Sequence, residues 1–545
     1  MTTTAPSPAL RNSATARRPT RTAAWLVLAA LAALGCRAVT DLRINVATFV
    51  DSAHNAADFA ARMFPLDFPS LGELLAWSGE TLSIVVSATL LSVVISVPLA
   101  ILAAANTTPR RVTRYGARAL IVVVRAVPDV VLAIIFFRIF GLGSMTGVLA
   151  MGLHSVGMVG KLYADAIEQI DEGPRTAIRA AGATPTQELI SGVLPQVLPA
   201  FVATALHRFD INLRISVLLG FVGVDGLGYQ IALAFKEVDY RRGMALAVVV
   251  LALCVSVELL SGSIRRVLLR NSAEHRGAGV PMQRGDQISP PWTLRRLRRL
   301  CYVVVTAVVI AVSAWAADLN PLHFLRSLDG IGQTAGLFWP PQTGGIFTTL
   351  LADLSQTVEI ALGATTIGAV LALPLGALAA RNVAPTPRIA HAFRLLIVGI
   401  RGIPELILAV VFVVITGLGA VAGTLALAVG AVGLLGKLVA DSLEEVDPGP
   451  EHAVRATGAG RWQVFFTGTL PQAAPAFVGH VLYQLDVNIR SATLLGIVGA
   501  GGIGFDLLSA AQIIEFGLVT TILLMVFVTV LIVEGLAVWL RHELR

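Results

Sequence analysis

Apolar residues run in twelve long stretches, six in each half of the chain. In the first half they lie near 24–42, 81–105, 119–140, 144–162, 196–222 and 244–263. In the second they lie near 300–317, 352–380, 392–416, 419–439, 472–499 and 517–540. Each is about the length that crosses a bilayer as a helix, and backbone groups in lipid must bond within their own segment. The pattern predicts an all-α polytopic membrane protein of twelve helices. Apolar residues make up 55% of the chain, charged ones 14%, and the mean hydropathy is +0.77. No soluble fold could bury that much apolar surface.

The halves repeat each other. From Glu80 and Gln356 to Gly228 and Gly504 they align without a gap at an offset of 276 residues. Six helices is an even number, so the halves are expected as two parallel six-helix repeats about an axis along the membrane normal. The expected division is a basic arm (1–23), a first repeat (24–263), a flexible linker rich in Gly and Pro (264–299) and a second repeat (300–545). The arm, the loop 110–118, the linker and the tail 541–545 are basic, whereas 46–79 is net acidic. Positive residues gather in cytoplasmic loops, so both termini are expected in the cytoplasm. The net charge of +7 reads as topological. No aromatic-basic platform suggests nucleic acid.

Arg17, Arg18 and Arg21 precede the apolar run AAWLVLAALAALGC, whose Cys36 completes a partial lipoprotein cleavage box. The second half carries an apolar segment in the same place, from Cys301, where nothing can be cleaved. A retained transmembrane helix is therefore expected. Cys36, Cys254 and Cys301 form no CxxC pair, and no metal site is expected.

The most specific signal is a polar loop present twice. KLYADAIEQIDEGPRTAIRAAGATPTQELISGVLPQ begins at Lys161, and KLVADSLEEVDPGPEHAVRATGAGRWQVFFTGTLPQ at Lys437. A duplicated polar island in an apolar chain reads as a docking surface used twice. Topology places both copies, about 163–195 and 439–471, in the cytoplasm. Pro174 and Pro450 suit a first helical turn, and Gly182 and Gly458 a sharp turn. Thr184-Pro185-Thr186-Gln187 fits a capping box, for which Gly460-Arg461-Trp462-Gln463 is a weaker cap. Leu194-Pro195 and Leu470-Pro471 start the next membrane helix.

This spacing resembles the EAA loop of ABC importer permeases. Gly182 and Gly458 are each followed, after nine residues, by the run ending in Leu194-Pro195 or Leu470-Pro471. The triplets centred on Ala177 and Ala453 (Thr176-Ala177-Ile178 and His452-Ala453-Val454) depart by lacking the glutamate that, in the family, helps hold the loop to the ATPase. Asp165, Glu168, Asp441 and Glu444 either supply that acidity or are simply solvated. The longer string, with D-x-N-x-R and LLGxVGxxGxG beyond the loop, is similar to permeases of phosphonate importers, here as two fused copies. The resemblance implies a type I importer fold of the MetI-like kind in a prokaryotic cell membrane. It also implies two cytoplasmic ATP-binding subunits and an external phosphonate-type binding protein, with membrane lipid around the chain. ATP and Mg would sit on the partner, and no cofactor on this chain. The residues agree on energy supply: at both Gly-Lys pairs, 160–161 and 436–437, Leu follows, and Ser155 or Ala431 stands where a Walker A loop needs glycine.

Charges inside apolar runs are costly and mark paths or partners. Arg214 and Arg490 each follow a carboxylate four residues earlier (Asp210, Asp486) and an asparagine two earlier (Asn212, Asn488). They read either as a path for a doubly charged anion or as i,i+4 ion pairs locking the helix. Arg125 with Asp129, and Arg401 with Glu405, flank a proline and read as a gate or as a snorkelling ion pair. The run 499–504 matches G-x-G-x-x-G by letter, but the expected preceding element is a membrane helix, so close helix packing is the reading. His154 and His207 lack ligand spacing. No catalytic set supports an enzyme. The rival class is a twelve-helix, ion-coupled secondary transporter.

Overall fold

The computed structural model describes residues 19–42, 57–58, 61–277, 294–317, 319, 321–327 and 331–544, and every regular element among them is helical. The first half contains α1 (Pro19–Asp41), α2 (Leu71–Ala103), α3 (Arg111–Ala126), α4 (Asp129–Phe140), α5 (Ser144–Glu168), α6 (Glu172–Ala180), α7 (Pro185–Glu188), α8 (Leu194–Gly220), α9 (Leu227–Lys236) and α10 (Tyr240–Gly277). The second contains α11 (Leu294–Ala316), α12 (Pro321–Ser327), α13 (Ile331–Leu337), α14 (Phe347–Ala379), α15 (Pro387–Gly402), α16 (Glu405–Thr416), α17 (Ala420–Glu444), α18 (Pro448–Ala456), α19 (Arg461–Val464), α20 (Leu470–Leu495), α21 (Gly504–Gln512) and α22 (Phe516–Leu544). From α2 and α14 to α8 and α20, corresponding helices start at the same offset of 276 that aligns the sequences.

Among the described residues seven helices are long and apolar enough to cross a membrane, or nine if each of two bent pairs counts as one. The bent pairs are where the sequence pattern predicts single spans, at 119–140 and 392–416. Each is instead two helices; α15 and α16 meet at 80°. Pro128 and Pro404 cause the break. Each stands just before the second helix in extended backbone (ψ 146° and 133°), and so does the residue before it. Proline offers no N–H to the ladder and disfavours helical geometry in its predecessor. The expected linker, 264–299, is also partly helical: α10 runs on to Gly277 and α11 begins at Leu294. The rest of it, and most of the basic arm, lie outside the described residues.

The first helix of each half packs on the other half. α1 lies along α14, and α11 along α2. Ala24 of α1 joins Leu482, Ala537 and Leu540 in one buried cluster. Gly35 makes the approach possible, since a Cβ there would come within 2.0 Å of Thr366 Oγ1. Without a hydrophobic drive between helices in lipid, such small-residue contacts set the fit. A larger apolar cluster contains residues of both halves, from Ile84 and Leu213 to Leu406 and Leu485. The run 499–504 serves packing: a Cβ at Gly504 would lie 1.9 Å from the Thr493 carbonyl oxygen.

This exchange predicts that cutting the chain between 278 and 293, at an inserted protease site, leaves the halves together. A tag on the first half should recover the second from mild detergent. Recovery of the first half alone would show that the exchanged helices do not hold.

Candidate functional site

Each repeated loop folds as two short helices hinged at glycine. In the first copy, Asp171 Oδ1 accepts from Gly173 N–H (2.9 Å) and α6 runs to Ala180. Gly182 turns the chain at φ +83°, and Thr184 and Gln187 cap α7 reciprocally. In the second, Asp447 caps α18 the same way, Gly458 turns at φ +82°, and only the bond from Gly460 N–H to Gln463 Oε1 (2.7 Å) remains of the box, because glycine has no side chain to accept. A Cβ at Gly182 or Gly458 would meet nothing within 4 Å. Both glycines are exposed, as are Ala177, Ala453, Pro195 and Pro471; Leu194 and Leu470 are half-buried.

The loops differ in what braces them. Glu188 gathers Arg175 and Arg179 (2.7 Å) in the first. In the second, buried Glu451 accepts from Thr469 Oγ1 (2.6 Å), and exposed Trp462 and Phe466 form an aromatic group with Phe465. The expected acidic residues Glu168 and Glu444 are exposed and also bonded within the chain. Glu168 accepts from Ala105 N–H (2.6 Å) and Arg118 (2.7 Å), and Glu444 from Arg381 N–H (2.6 Å) and Arg394 (2.7 Å). They tie α5 and α17 to the neighbouring loop and helix. Asp165 and Asp441 sit one turn earlier, half-exposed.

Between the halves lies a cavity of about 710 Å³. Among the described residues its wall carries seven cationic side chains, Arg125, Lys161, Arg208, Arg214, Arg401, Arg490 and Arg541, against four carboxylates, Asp129, Glu405, Asp486 and Glu534, with Asp210 and Glu258 reaching Arg214 and Arg401 from just behind it. Among the described residues two ion pairs cross the midline. Glu258 of α10 reaches Arg401 of the other half at 2.5 Å and also Arg214 at 3.3 Å. Glu534 of α22 pairs with Arg125. The two glutamates stand 276 residues apart, as do the two arginines, so one contact is made twice.

The family described as binding-protein-dependent transport system inner membrane component matches residues 96–270 and again 372–545. Phosphate-import permease protein PhnE of Mycolicibacterium smegmatis is 42% identical over 91% of this chain and 90% of its own. Phosphite transport system permease protein PtxC of Stutzerimonas stutzeri is 39% identical over 41% of this chain and 81% of its own. Putative cryptic phosphonate transport system permease protein PhnE2 of Escherichia coli is 38% identical over 22% of this chain and 98% of its own. The chain belongs to this permease family. It carries the family's unit twice, in a multi-pass membrane protein.

The permease corrects the i,i+4 reading at the broken helices. Pro128 and Pro404 end the helix between each arginine and its acid, so Arg125 and Arg401 turn to the other half instead. Asp129 Oδ1 accepts from Val130 N–H (3.0 Å) at the start of α4. Glu405 lines the cavity. The i,i+4 pairs do form in the fifth helix of each repeat, Asp210 with Arg214 (2.9 Å) and Asp486 with Arg490. Asn212 and Asn488 do not line the cavity. Each donates to a threonine of the second helix, Thr89 (3.1 Å) or Thr365 (2.8 Å), and so clamps two helices of its own half.

Arg208 and Glu534 of the cavity wall, and Glu258 just behind it, escaped the sequence reading. Glu258 and Glu534 lie past the end of the gap-free alignment, yet at its offset; carrying the comparison further finds a carboxylate in the last membrane helix of both halves. Arg208 has no such signal, because Gln484 stands in its place in the second half.

Glu258→Gln should destabilise the purified permease by about 3 kcal/mol, because the buried Arg401 then loses this carboxylate. Adding Arg401→Met should restore at least half of that loss. Thermal melts in detergent measure both, and an unchanged melt for the single variant would show that the contact contributes nothing.

Proposed function

We propose that this permease is the membrane subunit of an ATP-driven importer for phosphorus oxyanions. The observation that carries the reading is the cation excess of the cavity between the two halves. A tetrahedral oxyanion with one or two charges suits such a wall, since guanidinium forks match its oxygens two at a time. Relatives are named for phosphate, phosphite and phosphonate. These share a head group, and an external phosphonate-type binding protein chooses among them.

Energy comes from outside the chain. Two copies of a cytoplasmic ATP-binding subunit, carrying ATP and Mg, engage the loops around Gly182 and Gly458, while this chain binds no cofactor and hydrolyses nothing. Both termini lie in the cytoplasm, on the same side as the loops. Closure of the ATPase pair draws α6 and α18 together. The halves then rock, and the cavity opens to each side in turn. Asp165, Glu168, Asp441 and Glu444 act behind the loops, holding α5 and α17 in place. Arg125, Asp129, Arg401 and Glu405, at the broken helices, gate the path, while Arg214 and Arg490 line it beside Asp210 and Asp486.

Bulky residues at both hinges should block docking without unfolding the chain. The left-handed turn costs about 1–2 kcal/mol for a residue with a Cβ, and the space around each hinge is open. A mild-detergent pull-down of tagged wild-type chain should bring a Walker A ATPase at about two copies per chain. Gly182→Trp with Gly458→Trp should lose it and lose uptake while staying in the membrane. Normal uptake by that variant would sink the docking reading.

A further inference from the structure

Among the described residues two guanidiniums of the cavity wall, Arg208 and Arg541, make no ion pair, and Arg208 is the buried one; Asp129 of the same wall acts on it only from beyond 4.0 Å. Arg208 of α8 is 4% exposed. Its Nε donates to Ser155 Oγ (2.7 Å) and its Nη1 to Met158 Sδ (3.6 Å), while Nη2 finds no partner among the described residues. No carboxylate there comes within 4.0 Å of it. Its neighbours in the wall are different: Arg125, Arg214, Arg401 and Arg490 each hold a glutamate or aspartate. A buried charge with no carboxylate in contact is expensive, and inside a membrane it marks a function by default. Ser155 fixes the Nε edge of the fork, and the side chain forms part of the cavity wall.

The second half cannot build the same arrangement. At the repeat offset, Gln484 stands for Arg208, Ala431 for Ser155 and Leu434 for Met158. Gln484 donates to Asn488 (2.8 Å) and does not line the cavity. Near Arg208 the first half also supplies His154, where the second has Gly430. His154 Nδ1 bonds the Val127 carbonyl (2.9 Å) and must donate to it, which leaves Nε2 to accept from a protonated oxyanion oxygen.

We propose that the permease holds its substrate at one anion site, built by the first half alone, with Arg208 as the residue that takes the anion. This deepens the oxyanion reading and rests on it. The ligand class is a tetrahedral oxyanion: phosphate, phosphite or an alkylphosphonate. The duplicated scaffold therefore has one substrate position per chain, and the second half contributes closure.

The test uses the whole transporter, with its ATPase and binding protein, in proteoliposomes. Uptake of phosphate, phosphite, methylphosphonate and sulfate is measured together with ATP hydrolysis. Arg208→Gln, which copies the second half, should lower uptake per ATP at least about tenfold, the loss expected for a charge-assisted hydrogen bond. Hydrolysis stimulated by the loaded binding protein should stay within about twofold. Uptake per ATP equal to wild type overturns the proposal. So does a loss of uptake and hydrolysis in step, which marks a merely structural arginine. Should Arg208→Gln be missing from the membrane, Arg208→Lys decides. An ammonium keeps the charge without the fork, so uptake per ATP should fall severalfold, and an unchanged ratio overturns the proposal. If wild type moves only sulfate, the phosphorus reading fails, while the same variants still judge Arg208 on that anion.

Discussion

Two carboxylate–arginine contacts made across the midline, Glu258 with Arg401 and Glu534 with Arg125, are what the central cavity depends on. They join the last helix of each half to the broken third helix of the other; the Glu258 pair is buried, where attraction between charges is strong and separation is costly, and the Glu534 pair is part-exposed on the cavity wall. The break at Pro128 and Pro404 makes them possible. An unbroken helix would have kept each arginine beside the acid four residues on. The bend of 80° in the second half turns that pairing outwards to the opposite half. A proline's missing N–H is thus converted into an interface between repeats. A contact of this kind resists gradual stretching and has two states, made or broken, which suits the rocking proposed for the two halves.

Fusion lets the two copies diverge where a pair of identical chains could not. The framework stays symmetric. Helix starts share one offset from α2 and α14 to α8 and α20, both loops hinge at a left-handed glycine, and both asparagines clamp the second helix. The differences sit in the exposed loops and in the cavity wall. One loop is braced by Glu188 and two arginines, the other presents Trp462 and Phe466. One half offers Arg208 to the cavity, the other a neutral Gln484 that bonds within its own helix. Symmetry is kept in the helical framework and given up at the cavity wall and on the exposed loops.

Much of this is legible in the sequence because the repeat supplies its own control. A residue that recurs at the offset in a polar island, such as Gly182 with Gly458, announces a local conformation, and that turn needs nothing from elsewhere in the fold. Local pairs are legible too: Asp210 with Arg214 needs only an intact helix. What could not be read is tertiary. The partner of Arg125 lies more than four hundred residues away in Glu534, and no periodicity links them. The exchange of α1 and α11 between halves leaves only a small residue, Gly35, as its trace. Arg208 was hidden by the method that found the rest, since a search for what repeats passes over the charge that does not.

The central claim is that this chain is a passive path, moved by a partner that spends ATP. Oxyanion uptake into proteoliposomes tests it directly, comparing the chain alone under an imposed ion gradient with the chain plus its ATPase, binding protein and ATP. The account predicts uptake only in the second case, with one drive and no dependence on the gradient. Gradient-driven uptake by the chain alone would contradict it and make the protein a secondary transporter.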